Sequence, residues 1–209
     1  MGSTTNVHVF RTPPHAQFLS PTTPLTAAAN LHFINIATAN IDNARHEMHA
    51  LKNFIETDNI QVLGLTETKT KREIKIPRFT TYHRPSTMNN ARGTALIISN
   101  KIPSTRHDLP PNLANLEAIA VNILIANISL TIICYYNPPQ EALSSLLIEY
   151  ASQLPNAILM GDFNSRHIDF GDTTTNSNGR KLVNCLTNFP IYRLENRHPT
   201  FISHKGQSI

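Results

Sequence analysis

The chain has 209 residues, 40% hydrophobic and 15% charged, with a net charge of +4 and an isoelectric point near 9.2. That balance excludes a chain disordered throughout, and the length suits one domain with a sizeable core. No apolar run approaches the roughly 20 residues of a membrane helix, Met1 to Asn30 lacks the pattern of a secretory signal, and Cys134 and Cys185 make neither a disulfide framework nor a zinc motif.

Residues 1–29, rich in Thr, Pro and Ala, read as a flexible lead-in to a domain over 30–209. Leu31 to Ala39 is apolar and strand-like. Asn43 to Thr57 carries Met48, Leu51, Phe54 and Ile55 at helical spacing, with Asp42 or Asn43 as its cap. Strands are predicted over Ile60 to Thr66, Phe79 to His83 and Thr94 to Ser99, the last after the turn signal Arg92-Gly93. Leu116 to Ala126 and Ile128 to Tyr136 form a hairpin about Asn127, ended by Pro138-Pro139. Glu141 to Gln153 and Asn178 to Asn188 read as helices. Ala157 to Met160, Ile191 to Leu194 and Thr200 to Ser203 read as strands. The hairpin and the mixed spacing argue against an all-parallel doubly wound sheet and for two packed sheets flanked by helices. Cys134, inside an apolar run, reads as a buried thiol, which fits a reducing compartment.

The chemistry concentrates where apolar runs end. Ile158-Leu159-Met160-Gly161-Asp162-Phe163-Asn164 closes a buried strand with an acid and, two residues on, an amide. Strand alternation would point Asp162 and Asn164 the same way. Asp162 would orient or deprotonate an attacking water, and Asn164 would hold a phosphate oxygen. Glu67 follows another apolar run. It is either a solvated acid paired with Lys69 or a magnesium ligand, since Mg²⁺ takes one or two carboxylates plus waters and phosphate oxygens. Asn40, at the end of the first strand, is either a turn residue or a holder of metal or phosphate. Tyr136, before Asn137-Pro138-Pro139, is either core or rim packing or a phenol, its direction fixed by the prolines, aimed at charge developing on a phosphate. His167 is either a phosphate contact or a surface-loop residue. The cluster Lys69-Thr70-Lys71-Arg72 is either a solvated loop or a phosphate contact.

Glu67 in Leu65-Thr66-Glu67-Thr68, then Tyr136-Asn137-Pro138-Pro139, then Gly161-Asp162-Phe163-Asn164-Ser165-Arg166-His167, occur in the order and rough spacing of the endonuclease–exonuclease–phosphatase superfamily. The chain most resembles the apurinic-endonuclease-like domain that opens the polymerase polyprotein of non-LTR retrotransposons. Arg92-Gly93-Thr94-Ala95, Asn178-Gly179 and Pro199-Thr200-Phe201 resemble further blocks of it. The resemblance implies a four-layer α/β sandwich and Mg²⁺-dependent cleavage of double-stranded DNA, with Mn²⁺ as a substitute. It maps the metal ligand to Glu67, assisted by Asn40, the active-site tyrosine to Tyr136, and the aspartate–asparagine pair to Asp162 and Asn164. Arg92, His167 and Asn178 carry over as substrate contacts. In such elements the domain nicks chromosomal DNA, hence in the nucleus, and the freed 3′-hydroxyl primes a reverse transcriptase domain downstream.

That family closes with a Ser-x-x-Asp strand and a Ser-Asp-His triplet. Gln207-Ser208-Ile209 comes before any such residues, and neither His198 nor His204 holds the expected place. The C-terminal strands and the closing Asp/His are therefore expected to be missing, and this chain to be poorly stable and nearly inactive. Two other readings compete: an inositol-phosphate or sphingomyelin phosphatase of the same fold, and a degenerate domain that binds nucleic acid in a salt-dependent way without cutting it.

Overall fold

Side chains of successive strand residues alternate between two environments, and that alternation sets the layers. In the computed structural model, which describes residues 8–10, 34–44, 47–85 and 92–194, Leu63 and Leu65 face one cluster while Val62 between the same strands faces another. Among the described residues ten strands make two sheets. A six-stranded sheet runs in the order β10-β1-β9-β8-β7-β6 and a four-stranded sheet in the order β2-β3-β5-β4. In chain order the strands are β1 His8–Phe10, β2 Ile36–Asn40, β3 Val62–Thr66, β4 Phe79–Arg84, β5 Thr94–Ser99, β6 Ser104–His107, β7 Ala118–Ile125, β8 Ile128–Tyr136, β9 Ala157–Asp162 and β10 Tyr192–Leu194. The helices are α1 Met48–Thr57, α2 Ser145–Gln153 and α3 Ser177–Asn188.

Val62, Leu96 and Ile98 of the smaller sheet meet Val121, Ile132 and Ile158 of the larger one in a buried middle layer. On the far side of the smaller sheet, Leu63, Leu65 and Ile97 pack with Leu51 and Ile55 of α1. On the far side of the larger sheet, Ile133, Tyr135 and Leu159 pack with Leu147 of α2 and Leu182 of α3. The order helix, sheet, sheet, helix is the α/β sandwich that the sequence predicts. Pairing is mixed: β2–β3 and β8–β9 are parallel, while β3–β5, β4–β5 and β7–β8 are antiparallel. No described helix is long and apolar enough to cross a membrane.

The hairpin closes through Ala126 and Asn127, both at positive φ, 47° and 65°. This is the two-residue turn whose twist matches its strands. Other boundaries move for identifiable reasons. α1 begins at Met48, not beside Asp42 or Asn43. The amides of Ile41, Asn43 and Ala44 donate instead to the carbonyls of Thr66, Glu67 and Thr68, at 2.9–3.2 Å, and prolong the β2–β3 pairing. α2 begins at Ser145 because Asn178 ties Leu143, and Ser144 then caps the first turn by accepting from the Leu147 amide. β6, Ser-Thr-Arg-His, has no apolar alternation to reveal it, yet pairs with Ala120 to Ile123. The lead-in read as flexible contributes β1, which lies between β9 and β10. The strand predicted at Thr200 to Ser203, the Pro199-Thr200-Phe201 block, His198 and His204 lie outside the described residues.

Candidate active site

Two parallel strand pairs, one per sheet, end at the same rim. Asn40 stands opposite Thr66 where β2 and β3 finish, and Tyr136 stands opposite Asp162 where β8 and β9 finish. β2 and β3 pack across β8 and β9, so residues distant in sequence meet. The Asn40 side-chain amide joins them: Nδ2 donates to Glu67 Oε1 at 2.9 Å and to Asp162 Oδ2 at 3.0 Å. The two carboxylates therefore lie within about 6 Å, the most that bonds of 2.9 and 3.0 Å from one nitrogen allow. Asn40, Asp162 and Tyr136 are 5%, 3% and 6% exposed, so water does little to screen their interactions.

The Tyr136 phenol is bonded to Glu67, and its acidity is suppressed: burial, and then the Glu67 carboxylate beside it, hold its pKa far above the ordinary tyrosine value. It therefore stays a donor. The positive charge of Arg92 also reaches this phenol, while the Arg92 guanidinium pairs with Glu141. Burial pushes the Asp162 carboxyl up to about 6, with Glu67 adding to the effect. Bonds from Asn40 and from the Asn164 amide, and the charge of Arg166, partly offset it. Lys69 completes the rim. Its ammonium lies 3.0 Å from Glu67 Oε2 and also bonds Asp42 Oδ1. Burial works against that charge, but the two carboxylates outweigh burial and raise the Lys69 pKa.

Asn164 reaches the site by a route that strand alternation does not describe. β9 ends at Asp162, and Asn164 adopts a left-handed backbone, φ 47°. Asp162 Oδ1 accepts its amide at 3.0 Å, while its Nδ2 donates to the Asn137 carbonyl at 2.9 Å. Asn137, which no single-residue signal singles out, is the brace. Its Oδ1 accepts from the Tyr135 hydroxyl at 2.7 Å, and its Nδ2 reaches the carbonyls of Glu141 and Phe163. Asn176 is a second such residue: it caps α3 by accepting from Gly179 and donates to the Asn164 carbonyl at 2.8 Å.

Two expected substrate contacts have other partners. Asn178 is buried, with Oδ1 accepting from the Leu143 amide and Nδ2 donating to the Glu141 carbonyl. It fastens α3 to the loop after β8 rather than presenting an amide to a ligand. His167 caps the single turn Ile168–Phe170 by accepting from the Asp169 amide through Nδ1, and its ring lies against Phe170. That loop consumes its near-side ring nitrogen. Asn40, Glu67, Tyr136 and Asp162 thus converge, Asn164 adjoins them and Arg92 flanks them.

The backbone is tight here. Gly161 has φ +132°, and a Cβ on it would sit 2.0 Å from the Tyr135 carbonyl oxygen. Gly161→Ala is expected to destabilise the chain by more than about 4 kcal/mol, through a strained φ and a clash with backbone that cannot move aside. Urea denaturation checks this, and a midpoint like that of the parent would contradict it. Gly179 is equally constrained, since a Cβ there would meet the Arg166 carbonyl oxygen at 1.7 Å. The Asn-Gly start of α3 lets the helix touch the loop that follows Asn164.

The donor set is hard oxygen and amide. Among the described residues no three His, Cys, Asp or Glu side chains form a metal cage. One or two carboxylates suit Mg²⁺, which keeps several waters and shares substrate oxygens. Glu67 fits such an ion, with Asn40 beside it turning its Nδ2 to the carboxylates and its Oδ1 to the Asp42 amide at 3.3 Å.

A family model described as "Endonuclease-reverse transcriptase" matches residues 130–209. The RNA-directed DNA polymerase from mobile element jockey of Drosophila funebris is 25% identical over 158 residues, 74% of this chain. The chain spans only 17% of the length of that relative. Among solved structures, the endonuclease domain of TRAS1, a telomere-specific non-LTR retrotransposon, superposes with a TM-score of 0.59 at 16% identity, covering 74% of this chain and 69% of that one. The Xenopus laevis APE2 catalytic domain superposes with a TM-score of 0.51 at 16% identity, covering 71% and 66%. The fold is shared with these solved structures, residues 130–209 match the endonuclease-reverse transcriptase family model, and the chain is similar to the endonucleases of non-LTR retrotransposons.

Proposed function

We propose that this domain cleaves a phosphodiester of double-stranded DNA with Mg²⁺, nicking chromosomal target DNA in the nucleus so that a reverse transcriptase domain of the same polyprotein can extend the 3′-hydroxyl. The observation that carries the reading is the pair of hydrogen bonds that Asn40 donates to Glu67 and Asp162, which presents two carboxylates side by side. Glu67, with Asn40 beside it, would hold the ion. The ion supplies Lewis-acid polarisation of the phosphate and charge neutralisation. Asp162, ionised above about pH 6, accepts the proton of the attacking water. Tyr136, kept protonated, donates to an oxygen of the developing pentacovalent phosphorane. Asn40 fixes both carboxylates, and Asn164, held by Asn137, lines the phosphate side.

The test is nicking of supercoiled plasmid by the 209-residue chain at enzyme excess, in Mg²⁺ and in EDTA. Nicks bearing 3′-hydroxyls, formed in Mg²⁺ alone, are expected. Phosphate release from inositol phosphates without nicking, or salt-sensitive DNA binding with no cleavage, would overturn the proposal.

A further inference from the structure

Lys69 touches two carboxylates of the rim at once. Its ammonium pairs with Glu67 Oε2 at 3.0 Å and with Asp42 Oδ1. The surroundings fix its origin but not its tip. Lys69 and Asp42 both have left-handed backbones, φ 46° and 42°. The Lys69 amide donates to the Arg92 carbonyl at 2.9 Å, and the loop that carries Asp42 is laced to Glu67 and Thr68 through the amides of Asn43 and Ala44. Beyond this anchored backbone lies a four-carbon stem with free rotors, so the ammonium can leave Glu67 without any main-chain change.

Glu67 has two oxygens: Oε1 accepts from Asn40, Oε2 meets Lys69, and the Tyr136 phenol also bonds this carboxylate. The amide bond is shared with Asp162 and belongs to the frame that holds the two carboxylates together. The oxygen that faces Lys69 is therefore the one that a divalent ion would take. Lys69 and Glu67 are only 28% and 20% exposed, and the charges lie well inside the Debye length of about 8 Å at physiological salt, so solvent screens this competition incompletely.

We propose that Lys69 is a tethered counter-cation that bridges Glu67 and Asp42, competes with a divalent metal ion for Glu67 Oε2 and thereby sets how tightly that ion binds. This rests on the reading of Glu67 as a metal ligand. When the ion takes Oε2, Asp42 keeps the ammonium at the rim. Lys69 thus acts through Glu67 as a positioning residue for the ion, and it weakens the ion's affinity rather than supplying a ligand.

The probe is Mn²⁺ alone, titrated into the 209-residue chain and followed by the electron paramagnetic resonance of the free ion. K69M is expected to bind Mn²⁺ about tenfold more tightly than the parent, the scale of removing one like charge at contact distance. K69R is expected to stay near the parent. K69Q is expected to match K69M and serves in its place if K69M does not fold. In EDTA the uncharged variants are expected to melt below the parent, and saturating Mn²⁺ to raise their midpoints more than the parent's. An unchanged or weaker Mn²⁺ affinity in both uncharged variants would overturn the proposal, as would a loss of melting temperature that Mn²⁺ does not reduce. If the parent binds no Mn²⁺, or if E67Q binds it equally well, the metal-ligand reading itself fails.

Discussion

Glu67→Gln is expected to weaken Mn²⁺ binding by about a hundredfold or more and to reduce Mg²⁺-dependent nicking to the level seen in EDTA. The estimate is a lower bound, because losing a residue that merely supports a metal ligand already costs about 10–100-fold. Glutamine keeps the shape and still offers a carbonyl to the Asn40 amide, so the frame that joins β3 to β9 should survive. What disappears is the charge. Lys69 is left with Asp42, and the Tyr136 phenol loses the carboxylate that helps to suppress its ionisation. Denaturation curves close to the parent, together with absent Mn²⁺ binding, would assign the loss to the site and not to the fold. Full Mn²⁺ affinity in this variant would remove Glu67 from the metal site.

Asp162→Asn is expected to stabilise the protein at pH 8 while slowing its chemistry. Burial, reinforced by Glu67, raises the Asp162 carboxyl from 3.8 to about 6. Between those values the folded chain holds a proton that the unfolded chain has released. Stability therefore falls as pH rises through that window, and the whole penalty, about 3 kcal/mol, is present at pH 8. Asparagine carries no charge to bury. It loses one of the two bonds that Asp162 accepts from Asn40 and Asn164, worth about 1 kcal/mol. The net expectation is a gain of about 2 kcal/mol at pH 8 and a loss of about 1 kcal/mol below pH 4, where the parent is protonated. Urea denaturation in EDTA at the two pH values measures the crossover. Nicking should fall by about a hundredfold to ten-thousandfold. A variant less stable than the parent at pH 8 would show that the buried carboxylate is not a burden on the fold.

The layers were legible in the sequence because a continuous apolar run is a local signal. Val62 to Thr66, Thr94 to Ser99 and Ile128 to Tyr136 announce themselves, and each forms a strand. The rim was legible for a related reason, since Glu67, Tyr136 and Asp162 each stand where such a run ends. What the chain does not display locally is the choice of partner. Asp42 looks like a helix cap, but its side chain meets Lys69 across the rim. Asn178 and His167 look like ligand contacts, but their polar atoms close loops. Asn137 looks like the start of a proline turn, but it braces Asn164 and Tyr135. Short amides serve all of these tasks equally well, and only the crossing of β2 and β3 over β8 and β9 decides among them. Asp162 and Asn164 adjoin for a similar reason: a left-handed turn brings them together, which period-two reasoning cannot supply.

β8 spans the sandwich from end to end, with Ile128 at one extremity and Tyr136 at the other. At roughly 3.4 Å per residue, its nine positions put close to 30 Å between the tip formed by Ala126 and Asn127 and the carboxylates. A fluorophore, a spin label or a short affinity peptide placed at that tip would report on a ligand bound at the other end without obstructing it.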